Sequence, residues 1–107
     1  MLLKLFYNLI LDSFLMIYFV YILYSDSFNI HYIGQTDNLE DRLNRHNKGY
    51  ERSTRPYIPW KLIWRTEKPD RGSALILERK LKNLNRSRLI TFIIKYSDGT
   101  VGCDENG

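Results

Sequence analysis

The feature that most constrains this chain is a pair of strand-like segments separated by a short turn. Residues 17–25, IYFVYILYS, are mostly β-branched and aromatic, which favours a strand buried on both faces. The next four residues, DSFN, are typical of a turn, and residues 30–35, IHYIGQ, resume the strand pattern. The sequence therefore predicts an antiparallel hairpin.

A helix is predicted next, from about Asn38 to Lys48. Asp37 followed by Glu40 resembles a capping box, and Gly49 is a helix stop. Residues 50–60 contain two prolines and several polar residues, which indicates a loop.

The second half of the chain adds a strand and two helices. A third strand is predicted at residues 60–67, a helix at 71–84 and a last helix at 85–96, with a tail at 97–107. The order ββαβαα indicates an α+β fold, a small antiparallel sheet with helices packed against it. A length of 107 residues allows a single domain.

The apolar N-terminus allows two interpretations. Its uncharged stretch from Ser13 to Tyr24 is about 12 residues, whereas a membrane-spanning helix needs roughly 17 to 25. We therefore expect residues 1–15 to be an extension upstream of a start at Met16, and the domain to cover residues 16–96. A membrane-associated protein is the alternative.

Positive charge is concentrated in the last two-thirds of the chain. Fifteen of the sixteen lysines and arginines lie between Arg42 and Lys95, with four acidic residues in the same range. This surplus predicts a polyanionic partner, nucleic acid before membrane; a well-solvated surface is the alternative. The single cysteine, Cys103, excludes an internal disulfide and a cysteine-based zinc cluster, which is consistent with the cytoplasm.

Two charged side chains fall beside apolar helix stripes. In the first helix Arg42 and His46 are one turn apart next to Leu39 and Leu43, so both are expected near the hairpin tyrosines. Alternatively, Arg42 extends to solvent and His46 fills the helix edge.

In the second helix Glu78 borders the stripe formed by Ala74, Leu77 and Leu81. A glutamate there needs a cation or a metal; a structural salt bridge to Arg42 or a lysine is the alternative. A base, a cation and a metal-binding acid are what phosphodiester hydrolysis requires.

These residues occur in a familiar order. The chain has VYI at 20–22 and YIG at 32–34, eleven residues after the first tyrosine, followed by an arginine, a histidine and a glutamate, Arg42, His46 and Glu78. Over about Tyr18 to Leu89 it resembles the GIY-YIG nucleases, in particular their small single-domain bacterial members.

The resemblance implies a three-stranded antiparallel sheet flanked by helices and an endonuclease that hydrolyses DNA with one Mg²⁺ or Mn²⁺ ion. We expect low sequence specificity, branched or single-stranded DNA as substrate, a role in DNA repair or recombination, and no membrane or small-molecule cofactor. The alternative is a nucleic-acid-binding module of the same fold with little or no cleavage.

The resemblance also implies roles for individual residues. Tyr32 would help to deprotonate the attacking water, with Tyr21 assisting, provided that a nearby metal or cation favours the phenolate. Arg42 would hold the scissile phosphate, because its planar guanidinium matches phosphate oxygens. His46 would assist by hydrogen bonding or proton transfer.

Glu78 would be the metal ligand, since a single carboxylate suits Mg²⁺, which keeps several waters. Gly34 would let the backbone turn closely beneath the site. The sequence departs from the family pattern twice: Phe19 replaces the glycine of the first motif, and Ile90 stands where many relatives carry an asparagine.

Further basic and aromatic residues are expected to contact nucleic acid. They lie in the loop and on the second helix, at Lys48, Arg52, Arg55, Tyr57, Lys80 and Lys82. An ordinary solvent-facing loop is the alternative for residues 50–60, and His31 is interpreted as structural.

Overall fold

The computed structural model describes residues 2–3 and 17–101. Its sheet has three strands: β1 (Tyr18–Ser25), β2 (Ile30–Thr36) and β3 (Lys61–Lys68). Both β2 and β3 pair with β1 in antiparallel orientation, so the strand order is β2-β1-β3. The predicted hairpin is confirmed, and β1 is the central strand.

Three α-helices complete the fold: α1 (Leu39–Asn47), α2 (Arg71–Lys82) and α3 (Arg86–Lys95). A short 3₁₀ helix, Arg55–Tyr57, lies in the loop between α1 and β3. The order ββαβαα and the α+β class are therefore as predicted.

Alternate side chains of β1 enter two separate apolar clusters. Val20 and Ile22 pack with buried residues of α2 and α3, including Leu77 and Leu89. The intervening residues Tyr21 and Leu23 pack instead with Leu39 of α1 and Trp60. Because successive side chains of a strand point to opposite faces, β1 is covered on both sides, which explains its continuous apolar sequence.

The start of α1 differs by one residue from the prediction. Asn38, not Asp37, is the N-cap, and its side chain accepts a hydrogen bond from the Asp41 backbone N–H at 3.1 Å. The hydroxyl of Thr36, the last residue of β2, accepts the Asn38 N–H at 3.1 Å. This contact sets where the strand ends and the helix begins, and it places Asp37 outside the helix.

The segment after α3 packs against the sheet. The Trp64 indole N–H donates to the Tyr96 carbonyl at 2.7 Å, and the Thr66 hydroxyl donates to the Gly99 carbonyl. Residues 97–101 therefore form a turn beside β3.

Several predictions lie outside the described residues. Residues 4–16 and 102–107 are among these, so the extension at 1–15, the start at Met16 and the role of Cys103 stay predictions. Within the described part of the chain, none of the helices is long and apolar enough to cross a membrane.

Candidate active site

A tyrosine of β1 lies directly over a glycine of β2. The strand register pairs Tyr21 with Gly34, and a Cβ added to Gly34 would come within 2.5 Å of the Tyr21 hydroxyl oxygen and 2.6 Å of its ring carbon Cζ. Gly34 is inside β2, so the expected backbone turn is absent. Its lack of a side chain instead leaves room for the Tyr21 phenol.

The hydroxyl of Tyr21 is joined to a histidine of α1. The Tyr21 oxygen and His46 Nε2 are 3.0 Å apart, and each residue is only 1% exposed. The Tyr32 ring lies 4.9 Å from the His46 ring and 6.3 Å from the Tyr21 ring, measured between centroids. Both tyrosines and the histidine therefore belong to one cluster.

The other nitrogen of the histidine contacts the loop after α1. His46 Nδ1 lies 2.8 Å from the hydroxyl oxygen of Thr54, which is also 1% exposed. The Thr54 hydroxyl donates a longer bond, 3.4 Å, to the Glu51 carbonyl. The sequence reasoning missed Thr54, because no spacing rule links a loop threonine to a histidine eight residues earlier.

Burial sets the protonation of the two tyrosines. It raises the pKa of Tyr21 above the ordinary value of 10.0, Tyr32 raises it further, and the Arg42 guanidinium partly opposes the increase. Burial also raises the pKa of Tyr32, where Lys82 lowers it and Glu78 raises it. A phenolate at either position therefore requires additional positive charge close by.

Burial acts in the opposite direction on the imidazole. It lowers the pKa of His46 below 6.5; the carboxylate of Glu51 opposes this change, while Arg42 and Arg45 add to it. A neutral imidazole near pH 7 can accept a proton from a neighbouring hydroxyl. Glu51 is a second residue that the sequence reasoning missed; its own carboxylate pairs with Arg45 at 3.0 Å.

The guanidinium of Arg42 lies among the aromatic side chains. Arg42 is half-buried on α1, one turn before His46, and it lowers the pKa of Tyr21, Tyr32 and His46. Arg42 therefore supplies positive charge to all three titratable groups of the cluster.

Glu78 approaches the cluster from α2. Its side chain is 13% exposed and pairs with Lys82 at 3.3 Å, the lysine partner that the sequence analysis gave as an alternative. The negative charge of its carboxylate raises the pKa of Tyr32. In the described ranges no three histidine, cysteine or acidic residues lie together as a metal-binding group.

The residues predicted to contact nucleic acid differ in their exposure. Lys48, Arg52, Arg55 and Lys82 are exposed, whereas Lys80 is half-buried. Tyr57 is half-buried, with its ring 5.3 Å from Phe28 and 6.4 Å from Trp60, so part of its surface is already covered. Nearby Tyr50 is 63% exposed.

Comparison with known proteins identifies the family. A profile of the GIY-YIG catalytic domain matches residues 17–91. The chain belongs to the GIY-YIG family. That range contains both tyrosines, Arg42, His46 and Glu78.

A solved structure supports the same assignment. The solution NMR structure of a UPF0213 protein from Bacillus halodurans is similar, with a TM-score of 0.51 and 27% sequence identity over 85% of this chain and 93% of that one. No curated protein matches the chain. GIY-YIG proteins form a nuclease family that acts on nucleic acids, generally with a divalent metal, so the chain carries a nuclease-family domain.

Proposed function

We propose that this protein is a divalent-metal-dependent endonuclease that hydrolyses DNA phosphodiester bonds with low sequence specificity. The observation that carries the proposal is the buried hydrogen bond between Tyr21 and His46, with Tyr32 and Arg42 beside it. Branched or single-stranded DNA is the proposed substrate, and cytoplasmic DNA repair or recombination is the proposed setting.

The metal requirement rests on Glu78. Its carboxylate is largely shielded and lies near Tyr32, where one Mg²⁺ or Mn²⁺ ion would reach both a water and a phosphate oxygen. A bound divalent cation would supply positive charge that favours a phenolate and neutralises the phosphate. Lys82 must leave Glu78 for the carboxylate to bind a cation.

Proton transfer is assigned to the tyrosines. Tyr32 is the group that takes a proton from the attacking water. The charges of Glu78 and Lys82 affect its pKa but are not among the causes that shift the pKa of Tyr21. Tyr21 and His46 assist through their shared hydrogen bond. Arg42 holds the scissile phosphate and stabilises the charge that develops on it.

The remaining basic residues are proposed to bind the DNA backbone. Lys48, Arg52 and Arg55 lie on or next to the loop that contacts His46 through Thr54. Lys80 and Lys82 on α2, and Tyr57 with its remaining exposed edge, extend this surface. Contacts of this kind add affinity without selecting a sequence.

The test uses the full chain with supercoiled, linear, single-stranded and branched DNA, in Mg²⁺, Mn²⁺ or EDTA. Cleavage is expected only with metal and is expected to disappear in Glu78→Gln, which keeps the shape of the side chain but removes its charge. Glu67→Gln, an exposed glutamate of β3, is the matched control and should leave cleavage unchanged. DNA binding should survive in both variants.

Two outcomes contradict the proposal. Binding without cleavage of any substrate would establish the alternative, a nucleic-acid-binding module; the pairing of Glu78 with Lys82 is the observation that favours it. Unimpaired cleavage in Tyr32→Phe, with loss in Tyr21→Phe, would exchange the roles of the two tyrosines.

A further inference from the structure

We infer that Thr54 is a positioning residue that holds His46 as the Nδ1–H tautomer, so that Nε2 accepts the phenolic hydrogen of Tyr21. The inference rests on the proposed function, because it explains how the Tyr21–His46 pair would assist hydrolysis. The loop at 50–60 would then position His46 as well as contact substrate.

The three side chains form one buried row. Tyr21, His46 and Thr54 are each 1% exposed, and the two contacts of the imidazole measure 3.0 Å to Tyr21 and 2.8 Å to Thr54. Buried polar atoms in folded proteins almost always have hydrogen-bond partners. Each contact in the row therefore needs one donor and one acceptor.

The Tyr21 end of the row indicates the direction of donation. The only hydrogen-bond partner of the Tyr21 hydroxyl among the described residues is His46 Nε2, while the nearby Arg42 guanidinium lowers the pKa of Tyr21. A guanidinium carries donors only, so it cannot take the phenolic hydrogen, and this buried hydrogen needs an acceptor. His46 Nε2, at 3.0 Å, is that acceptor.

The Thr54 end gives the same direction. A carbonyl can only accept, so the single hydroxyl hydrogen of Thr54 points to the Glu51 carbonyl at 3.4 Å. A lone pair of Thr54 is then left for His46 Nδ1–H at 2.8 Å. Because a neutral imidazole carries one N–H, the two ends of the row assign the same tautomer.

The loop is fixed where this contact is made. The Trp60 indole N–H donates to the Thr54 carbonyl at 2.9 Å. The Asn47 side chain bonds both backbone groups of Trp60, at 2.9 Å to its oxygen and 2.7 Å to its nitrogen. Thr54 is thereby held against the same helix that carries His46.

Once added positive charge favours the Tyr21 phenolate, the phenolic hydrogen passes to His46. When the Tyr21 O–H bond breaks, its electron pair stays on the phenolate oxygen and a new N–H bond forms at His46 Nε2. The resulting imidazolium has an acceptor at each nitrogen, the Tyr21 oxygen and the Thr54 hydroxyl. The charged groups around the imidazole are Arg42 and Arg45, which oppose its protonation, and Glu51, which favours it.

The experiment compares three variants of the full chain. Thr54→Val keeps the side-chain shape and removes the hydroxyl, while Thr54→Ser keeps the hydroxyl. Asn47→Ala loosens the same loop at Trp60 without removing a partner of the His46 ring. The first readout is the protonation of each His46 ring nitrogen by ¹⁵N NMR, and the second is the pH profile of DNA cleavage.

We expect Nδ1–H in the wild type, Thr54→Ser and Asn47→Ala, and loss of that tautomer in Thr54→Val. Cleavage by Thr54→Val should fall at least about tenfold with an altered pH profile, because assistance by a positioned proton acceptor contributes roughly 10²- to 10⁴-fold. The serine variant should restore both the tautomer and the profile.

A wild-type spectrum with the proton on Nε2, or an unchanged tautomer in Thr54→Val, would overturn the inference. The wild-type spectrum decides even if the valine variant fails to fold. The NMR readout does not depend on cleavage: the expected tautomers in a protein that cuts no DNA would retain the positioning role and refute the nuclease proposal.

Discussion

At the scale of single residues, the candidate site requires that Gly34 has no side chain. A Cβ there would come within 2.5 Å of the Tyr21 hydroxyl oxygen, so Gly34→Ala must move a buried phenol away from His46. Overpacking of this kind costs about 1 to 3 kcal/mol. We expect urea denaturation to show a loss of stability in that range, accompanied by loss of cleavage.

Gly72→Ala is the matched control for this substitution. Gly72 lies in the first turn of α2, and a Cβ there would meet only the Asp70 carboxylate oxygen, at 3.4 Å. Alanine is a better helix former than glycine, so stability should stay equal or rise. A Gly34→Ala protein as stable as Gly72→Ala would show that the strands can separate enough to admit the methyl group.

The buried imidazole also makes stability depend on pH. Because burial lowers the pKa of His46 below 6.5, the unfolded chain binds a proton in a pH range where the folded chain does not. The free energy of unfolding should therefore be fully developed above about pH 6.5 and should fall as the pH drops towards the folded pKa.

His46→Gln should reduce this pH dependence, and denaturant titrations between about pH 7 and pH 5 measure it. His31 is the comparison, since burial lowers its pKa in the same direction and Arg86 contributes. Substituting each histidine in turn, and measuring how the free energy of unfolding then changes with pH, gives the contribution of each histidine. A slope unchanged in His46→Gln would mean that His46 has the same pKa in the folded and unfolded chains, which contradicts the prediction.

The candidate site was predictable only where its residues follow local spacing. Arg42 and His46 are one helical turn apart, and each YIG-type motif is contiguous, so both patterns are visible in the sequence. The contact of Thr54 with His46 and the close approach of Tyr21 to Gly34 were missed, because both are contacts between separate segments. Those contacts follow from the strand register and the course of the loop, which no local pattern encodes.

At the scale of elements, helix and strand bounds were predicted to within two residues because periodicity and turn residues are local signals. The position of β3 was not predicted. It pairs with β1 and not with β2, which places the twice-buried strand in the centre of the sheet. The apolar character of residues 17–25 is consistent with that position.

The side chain of Asn38 caps the first turn of α1. Asn38→Ala removes the side chain that accepts the Asp41 N–H and should cost about 1 kcal/mol. Since α1 carries Arg42 and His46, cleavage should fall as its first turn loosens. Thermal or urea denaturation gives the stability change.

Asp37→Ala tests whether Asp37 caps α1, as the sequence pattern predicts. Asp37 is outside the helix, so this variant should have nearly wild-type stability, and Asn38→Asp should keep the cap. If Asp37→Ala were the more destabilising of the two alanine variants, Asp37 would be the functional cap in solution.

At the scale of the whole molecule, the distribution of charge was more informative than its total. The net charge is +4, yet fifteen of the sixteen lysines and arginines follow residue 41, in the last two-thirds of the chain, which supplies most of α1, the loop, β3, α2 and α3. The site lies on the face of the sheet where Tyr21 packs with Leu39, whereas α3 packs on the opposite face. Cations near the site should therefore dominate binding to DNA.

The measurable consequence is the salt dependence of DNA affinity. Each phosphate contact steepens the decrease of log affinity with log salt by about 0.9 for duplex DNA and about 0.7 for single strands. Lys48 and Arg52 are exposed next to the loop that reaches His46, so Lys48→Gln combined with Arg52→Gln should reduce the slope by about 2. The loss should be similar for unrelated sequences, because phosphate contacts do not distinguish bases.

Lys95→Gln is the matched control, because Lys95 is the last residue of α3, on the face away from the site. It removes the same kind of charge and should leave the slope nearly unchanged. If Lys95→Gln lowered the slope as much per charge as the double variant, DNA would be held by the general positive field of the molecule. The loop next to His46 would then have no special part in binding, and its contact with the imidazole through Thr54 would be its main contribution to the site.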